Sequence, residues 1–212
     1  MTVLGFKPWP ADVFRTTGAP VSDGVCKLLI YGKTGRTKGT DQLLDALDAY
    51  DVQKPRIKVS AYWGGKHFDR YLEKITSLQL IERGLLDLHP YVPHWKIARA
   101  ISESHAVLYL ENNFKISIHG PGIPFEVLGS GRRLITTEEI ADKYPQIIDE
   151  TTSEVIKGTP MQIEDLLTTI SKVAEDKTLQ TAVDSDVDLE MLYFNGVRNV
   201  ERFLGRVQEN LR

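Results

Sequence analysis

Residues 25–50, VCKLLIYGKTGRTKGTDQLLDALDAY, decide the fold. Val25 to Tyr31 is a short apolar run closed by Gly32, the pattern of a buried strand. From Thr40 onward, Leu43, Leu44 and Leu47 recur at helical spacing. Between strand and helix lie Gly32, Gly35 and Gly39, interleaved with Lys33, Arg36 and Lys38. Gly32-Lys33-Thr34 matches the end of the P-loop motif G-x-x-x-x-G-K-[ST]. The glycine which that motif requires five positions before Gly32 is Lys27, so spacing excludes a P-loop.

The same unit repeats along the chain. Ile57 to Trp63 reads as a strand halted by Gly64-Gly65, followed by a helix carrying Phe68, Tyr71, Leu72 and Ile75. Leu85 to Leu88 is a short strand, Trp95 to Ile101 a brief helix, and Ala106 to Leu110 another strand. Pro124 to Leu128 starts a helix, and Leu134 to Thr136 is a strand. Strand alternating with helix at this pitch predicts an α/β fold: a Rossmann-like parallel sheet with helices on both faces. After Glu154 the pattern reads as helical, with Ile163, Leu166, Leu167, Ile170 and Val173 on one face of a helix within 161–174. A closing helix carries Val197, Val200, Phe203, Leu204, Val207 and Leu211, and residues 184–188 form a solvated acidic turn.

Composition narrows the function classes. With 212 residues and a net charge of −3, the chain has no broad electrostatic attraction for nucleic acid or anionic membrane. Any anion site is local. The single cysteine, Cys26, suits a reducing compartment. No apolar run reaches membrane-span length. Lys7, Pro8 and Pro10 interrupt what would be a signal-peptide core, so a cytoplasmic location is expected. His89 and His94 have neither a helical-pair nor a zinc-finger spacing, and no metal site is expected.

Ligands of open α/β sheets bind outside the carboxyl ends of the strands. Three loops of unusual composition fall there: YGKTGRTKG (31–39), HPYVPHW (89–95) and HGPGIPFE (119–126). Taken alone, the first is either a phosphate cradle ahead of a helix N-terminus or a soluble surface turn. In the third, Pro124 suits a first helical turn and puts Glu126 near a helix N-terminus, where it either accepts bonds from a ribose diol or offsets the helix dipole. His119 either donates to a phosphate or sugar oxygen or is solvated, and Tyr91 and Trp95 either stack on a base or pack.

Together the loops resemble the C-terminal, donor-binding half of group-1 glycosyltransferases with the GT-B fold. The family's strand ends in Gly-Arg and, after four residues, Lys-Gly precedes a helix. Gly32-Lys33 and Lys38-Gly39 keep that spacing. FEVLGSG resembles the family's Glu-Ala-Met-Ala-x-Gly segment, so Glu126 matches the second glutamate of its E-x7-E motif. Ile118 stands where the first glutamate falls, and Pro121 where a glycine amide falls. The segment PWPADVF (8–14) resembles the interdomain linker of such enzymes. The resemblance therefore implies a linker-like segment over 1–24 and a nucleotide-sugar-binding domain over 25–212.

What the resemblance implies about function is specific. Gly32, Lys33, Arg36 and Lys38 hold the diphosphate of a nucleotide-sugar donor, with the base near Tyr91, Val92 and Pro93. Glu126 holds the ribose, and His119 and Gly120 are further donor-binding candidates, with His119 a substitute for the first glutamate. Lys38, Glu126 and His119 are the candidates for catalysis. The implied activity is retaining glycosyl transfer that requires no metal, with an N-terminal acceptor-binding domain supplied in cis or trans. The alternative is a non-catalytic nucleotide- or glycan-binding module on the same scaffold.

Overall fold

A computed structural model of the chain describes residues 20, 23–51, 56–113 and 122–183. The linker-like segment 8–14, the acidic turn 184–188 and the closing helix expected around 197–211 lie outside the described residues.

Six parallel strands form one sheet: β1 (Cys26–Lys33), β2 (Ile57–Gly64), β3 (Leu86–Pro90), β4 (Ala106–Tyr109), β5 (Arg133–Thr137) and β6 (Ser153–Ile156). Their spatial order is β3-β2-β1-β4-β5-β6. The chain winds outward from β1 in one direction, then returns to build the other half from β4. The reversal leaves a crevice between the carboxyl ends of β1 and β4, where Rossmann-like sheets bind ligands.

The helices are α1 (Thr40–Asp48), α2 (Phe68–Ser77), α3 (His94–Glu103), α4 (Ile123–Gly129), α5 (Glu138–Ala141) and α6 (Ile163–Glu175). Alternation along the strands sends side chains to two cores. On one face, Leu28 and Ile30 of β1 and Val59, Ala61 and Trp63 of β2 meet Leu43, Leu44 and Leu47 of α1, Ile75 of α2, and Leu166 and Ile170 of α6. On the other, Leu29, Tyr31, Val107 and Tyr109 meet Ile97 and Ile101 of α3, Val127 and Leu128 of α4, and Ile140 of α5. Both faces are covered, as a parallel sheet requires. Truncating any of the fully buried leucines of α1 to alanine removes about 2–5 kcal/mol.

Two expectations need correction. The chain does not turn helical at Glu154: Ser153–Ile156 is an edge strand paired with β5. Four residues of mixed polarity carry no readable period, and this strand is fixed by tertiary contacts. Arg133 of β5 lies 3.5 Å from Glu154, and Lys172 of α6 lies 2.7 Å from the same carboxylate. Leu72 is not a core residue of α2. It is 39% exposed, while Tyr71 and Ile75 are buried. Its spacing from Phe68 and Ile75 fits the apolar face, but Leu72 stands at the edge of that face, and the core closes over Tyr71 and Ile75 instead.

Candidate functional site

The mouth of the β1/β4 crevice is built from the loop after β1, the chain leaving β4, and the first turn of α4. Each is tied to the others by specific contacts. The loop folds as a tight turn closed by a single 3-10 turn over Arg36–Lys38. The Lys38 amide donates to the Gly35 carbonyl at 3.0 Å, and the Gly35 amide to Thr40 Oγ1 at 3.0 Å. Thr34, at its other end, donates its amide to the Gly64 carbonyl of β2 at 3.0 Å. Gly39 donates its amide to the Arg36 carbonyl at 3.3 Å. The amides of Thr34, Gly35, Lys38 and Gly39 are thus already bonded within the protein, and the loop offers outward its cationic side chains rather than these four amides.

Gly39 is required for a reason other than ligand approach. Its φ is +71°, and a Cβ there would stand 2.6 Å from the Leu110 carbonyl oxygen. The loop is pressed directly against the chain leaving β4. Next to it, Asn112 donates its amide to the Thr37 carbonyl at 2.9 Å. Lys38 then crosses the same seam, its Nζ 2.7 Å from Glu111 Oε1.

Glu111 was not singled out from the sequence, yet it is the most buried acidic residue of the site, with no solvent exposure. Its second oxygen accepts from the Tyr109 hydroxyl, and its carbonyl accepts from Thr137 Oγ1 at 2.6 Å. Burial, reinforced by Glu111, pushes the Tyr109 hydroxyl far above its ordinary range, so Tyr109 remains a donor. Tyr144 is pushed up to about 12 by burial and the same carboxylate. An acidic residue directly after an apolar strand, at its carboxyl end, was the available signal.

Glu126 lies in the first turn of α4, as expected, but it is buried, at 5% exposure. Tyr31, the sixth residue of β1, donates its hydroxyl to Glu126 Oε2 at 2.7 Å. That bond fixes the start of α4 against the end of β1. Burial first, and then the Glu126 charge, raises the Tyr31 hydroxyl well above its ordinary value. The site therefore holds two buried carboxylates, each oriented by a tyrosine, with Lys38 paired to one of them.

Of the residues expected at the site, Gly32 and Lys33 end β1, Lys33 being exposed beside Gly65. Arg36 is exposed as well, and its charge reaches Tyr71 of α2. Tyr91 follows β3 at 50% exposure, lying over Gly64, where a Cβ would come within 2.7 Å of the Tyr91 Cβ. Val92 is half-buried, and Pro93 caps the start of α3. Ile118, His119, Gly120 and Pro121, and the side chains of His94 and Trp95, lie outside the described residues. Among the described residues, no group of three His, Cys, Asp or Glu is arranged to hold a metal ion, and no helix is long and apolar enough to cross a membrane.

No protein-family model matches the sequence, and no curated protein matches it significantly. Solved structures do match in fold. The C-terminal domain of a group 1 family glycosyl transferase, LpcC, from Francisella tularensis aligns with a TM-score of 0.62 at 14% identity, covering 83% of this chain and 92% of that one. Anabaena Alr3699/HepE, solved with UDP and glucose, aligns at 0.66 with 13% identity, over 93% of this chain and 55% of its own. A TarM mutant from S. aureus, solved with fondaparinux, alpha-GlcNAc-glycerol and UDP, aligns at 0.65 with 16% identity, over 89% of this chain and 37% of its own. The chain has the Rossmann-like fold of the C-terminal domains of GT-B group-1 glycosyltransferases, and it spans about half or less of the latter two proteins.

Proposed function

We propose that this chain is the donor-binding domain of a glycosyltransferase, acting on a nucleoside diphosphate sugar. One observation carries the reading: Lys38 and Glu126, at the family-like spacing, lie at one crevice outside the carboxyl ends of β1 and β4. In this reading Lys38 and Lys33 hold the donor diphosphate, Glu126 accepts from the ribose, and the base lies toward Tyr91, Val92 and Pro93. His119 and Gly120 attend the sugar. Transfer is of the retaining type, and negative charge grows on the departing diphosphate as the glycosidic bond breaks. A fixed ammonium beside that charge stabilises it without reorganising, and no metal is required. The acceptor is held by an N-terminal domain supplied in cis or trans, in the cytoplasm.

Isothermal titration without magnesium tests the binding step, using uridine, guanosine and adenosine diphosphates. Heat with at least one is expected. Silence with all three up to millimolar ligand would sink the reading. A second reading, a nucleotide- or glycan-binding module without catalysis, is favoured by Ile118 standing where the resemblance puts a glutamate. It predicts the same heat and no sugar transfer under any condition.

A further inference from the structure

Resting on the donor-site reading, we propose that Glu111 is a specificity-determining residue, whose carboxylate beside Lys38 disfavours a free nucleoside diphosphate relative to its sugar conjugate. The geometry sets the distance. Lys38 Nζ lies 2.7 Å from Glu111 Oε1. A phosphate oxygen bonded to that ammonium sits about 2.8 Å from Nζ, so it cannot be more than about 5.5 Å from the carboxylate. Glu111 cannot swing away, because Tyr109 holds its other oxygen, Thr137 holds its carbonyl, and its side chain has no solvent exposure. Burial also denies it water's screening.

The two ligands differ in charge at this place. A sugar diphosphate is a diester with two negative charges. Once the sugar has left, the terminal phosphate gains a further ionisation with a pKa of about 6 and carries close to one more charge at neutral pH. A buried carboxylate within about 5.5 Å penalises that extra charge by on the order of tenfold in affinity, with Lys38 offsetting the rest. Glu111 thereby biases the site toward substrate over product. An exposed cationic cradle without it would do the opposite and hold the more highly charged product more tightly.

The test compares the Kd of uridine diphosphate with that of uridine diphosphate glucose, in the wild type and in Glu111→Gln. The amide keeps the shape and an acceptor for Lys38 but removes the charge. Expected is a shift of the affinity ratio toward uridine diphosphate by about tenfold, since the free diphosphate gains more than the conjugate. An unchanged ratio, or equal weakening of both ligands, overturns the proposal and makes Glu111 a structural buttress for Lys38. Should Glu111→Gln fail to fold, the wild type reports by itself. Between pH 5.5 and 7.5 its affinity for uridine diphosphate should rise by no more than about twofold as the terminal phosphate ionises. A rise approaching about fourfold, the most that this ionisation allows over that range, overturns the proposal. A wild type that binds neither ligand refutes the donor-site reading instead, so the two failures are distinct.

Discussion

Gly39 has room for a hydrogen and nothing larger. With φ at +71° and the Leu110 carbonyl oxygen 2.6 Å from where a methyl carbon would stand, Gly39→Ala combines left-handed strain with a backbone clash. It should cost about 2 kcal/mol or more. Gly84 also has positive φ but nothing within 4 Å, so Gly84→Ala should cost only about 1 kcal/mol. Thermal unfolding of the two variants checks the difference, and equal losses would mean that the loop moves away from β4 at little cost. Lys38 and Arg36 separate in the same way. Lys38 bridges the seam to Glu111, whereas Arg36 influences α2. Lys38→Ala should weaken diphosphate binding by roughly 1.5–3 kcal/mol, and Arg36→Ala by clearly less. Calorimetry that found equal losses would make the loop a diffuse positive field. The places of Lys33, Lys38 and Glu126, at a strand end, a turn and a helix start, were legible in the sequence because glycine and proline punctuate their loops. Glu111 was not, because it follows a strand that is apolar throughout, and the lysine that pairs with it sits on a loop far away in the sequence, a contact that no local period records.

At the scale of elements, the central seam between β1 and β4 is also closed at its opposite end. His105, just before β4, accepts the Lys27 amide on Nδ1 at 2.9 Å and returns its own amide to the Lys27 carbonyl at 2.8 Å. Burial holds the imidazole below its ordinary 6.5, with help from the charges of Lys27 and Lys177 against a weaker opposing pull from Asp23. A protonated Nδ1 could not accept the amide. The folded state therefore binds fewer protons than the unfolded chain. This contribution to stability is full above the ordinary value, and it is lost as pH falls below about 6.5 toward the depressed folded value. Denaturant unfolding between pH 5 and 8 should show the wild type losing more stability on acidification than His105→Gln. Parallel curves would remove His105 as the cause. The strands of this seam were readable as short apolar runs, and the helices around them from their period. Edge strand β6 was not, since four residues of mixed polarity take their conformation from Arg133 and Lys172.

At the scale of the whole molecule, the donor-site reading makes the β1/β4 crevice one wall of a cleft. Glycosyl transfer needs donor and acceptor held together in a water-poor space, which supplies both orientation and electrostatic stabilisation. In the donor-site reading proposed above, the crevice between β1, β4 and α4 is the donor wall. Residues 1–212 alone should release no nucleoside diphosphate in an acceptor-dependent way, and adding an N-terminal α/β domain, fused or separate, should restore release. Robust turnover by the chain alone would contradict the half-cleft reading. A donor site at this crevice is tested most directly by a uridine diphosphate titration followed by backbone amide NMR without magnesium. Shifts should cluster on 32–39, on Glu111 and Asn112, and on 122–127, all weakened together in Lys38→Ala. Shifts elsewhere on the sheet, or none at millimolar ligand, would contradict it.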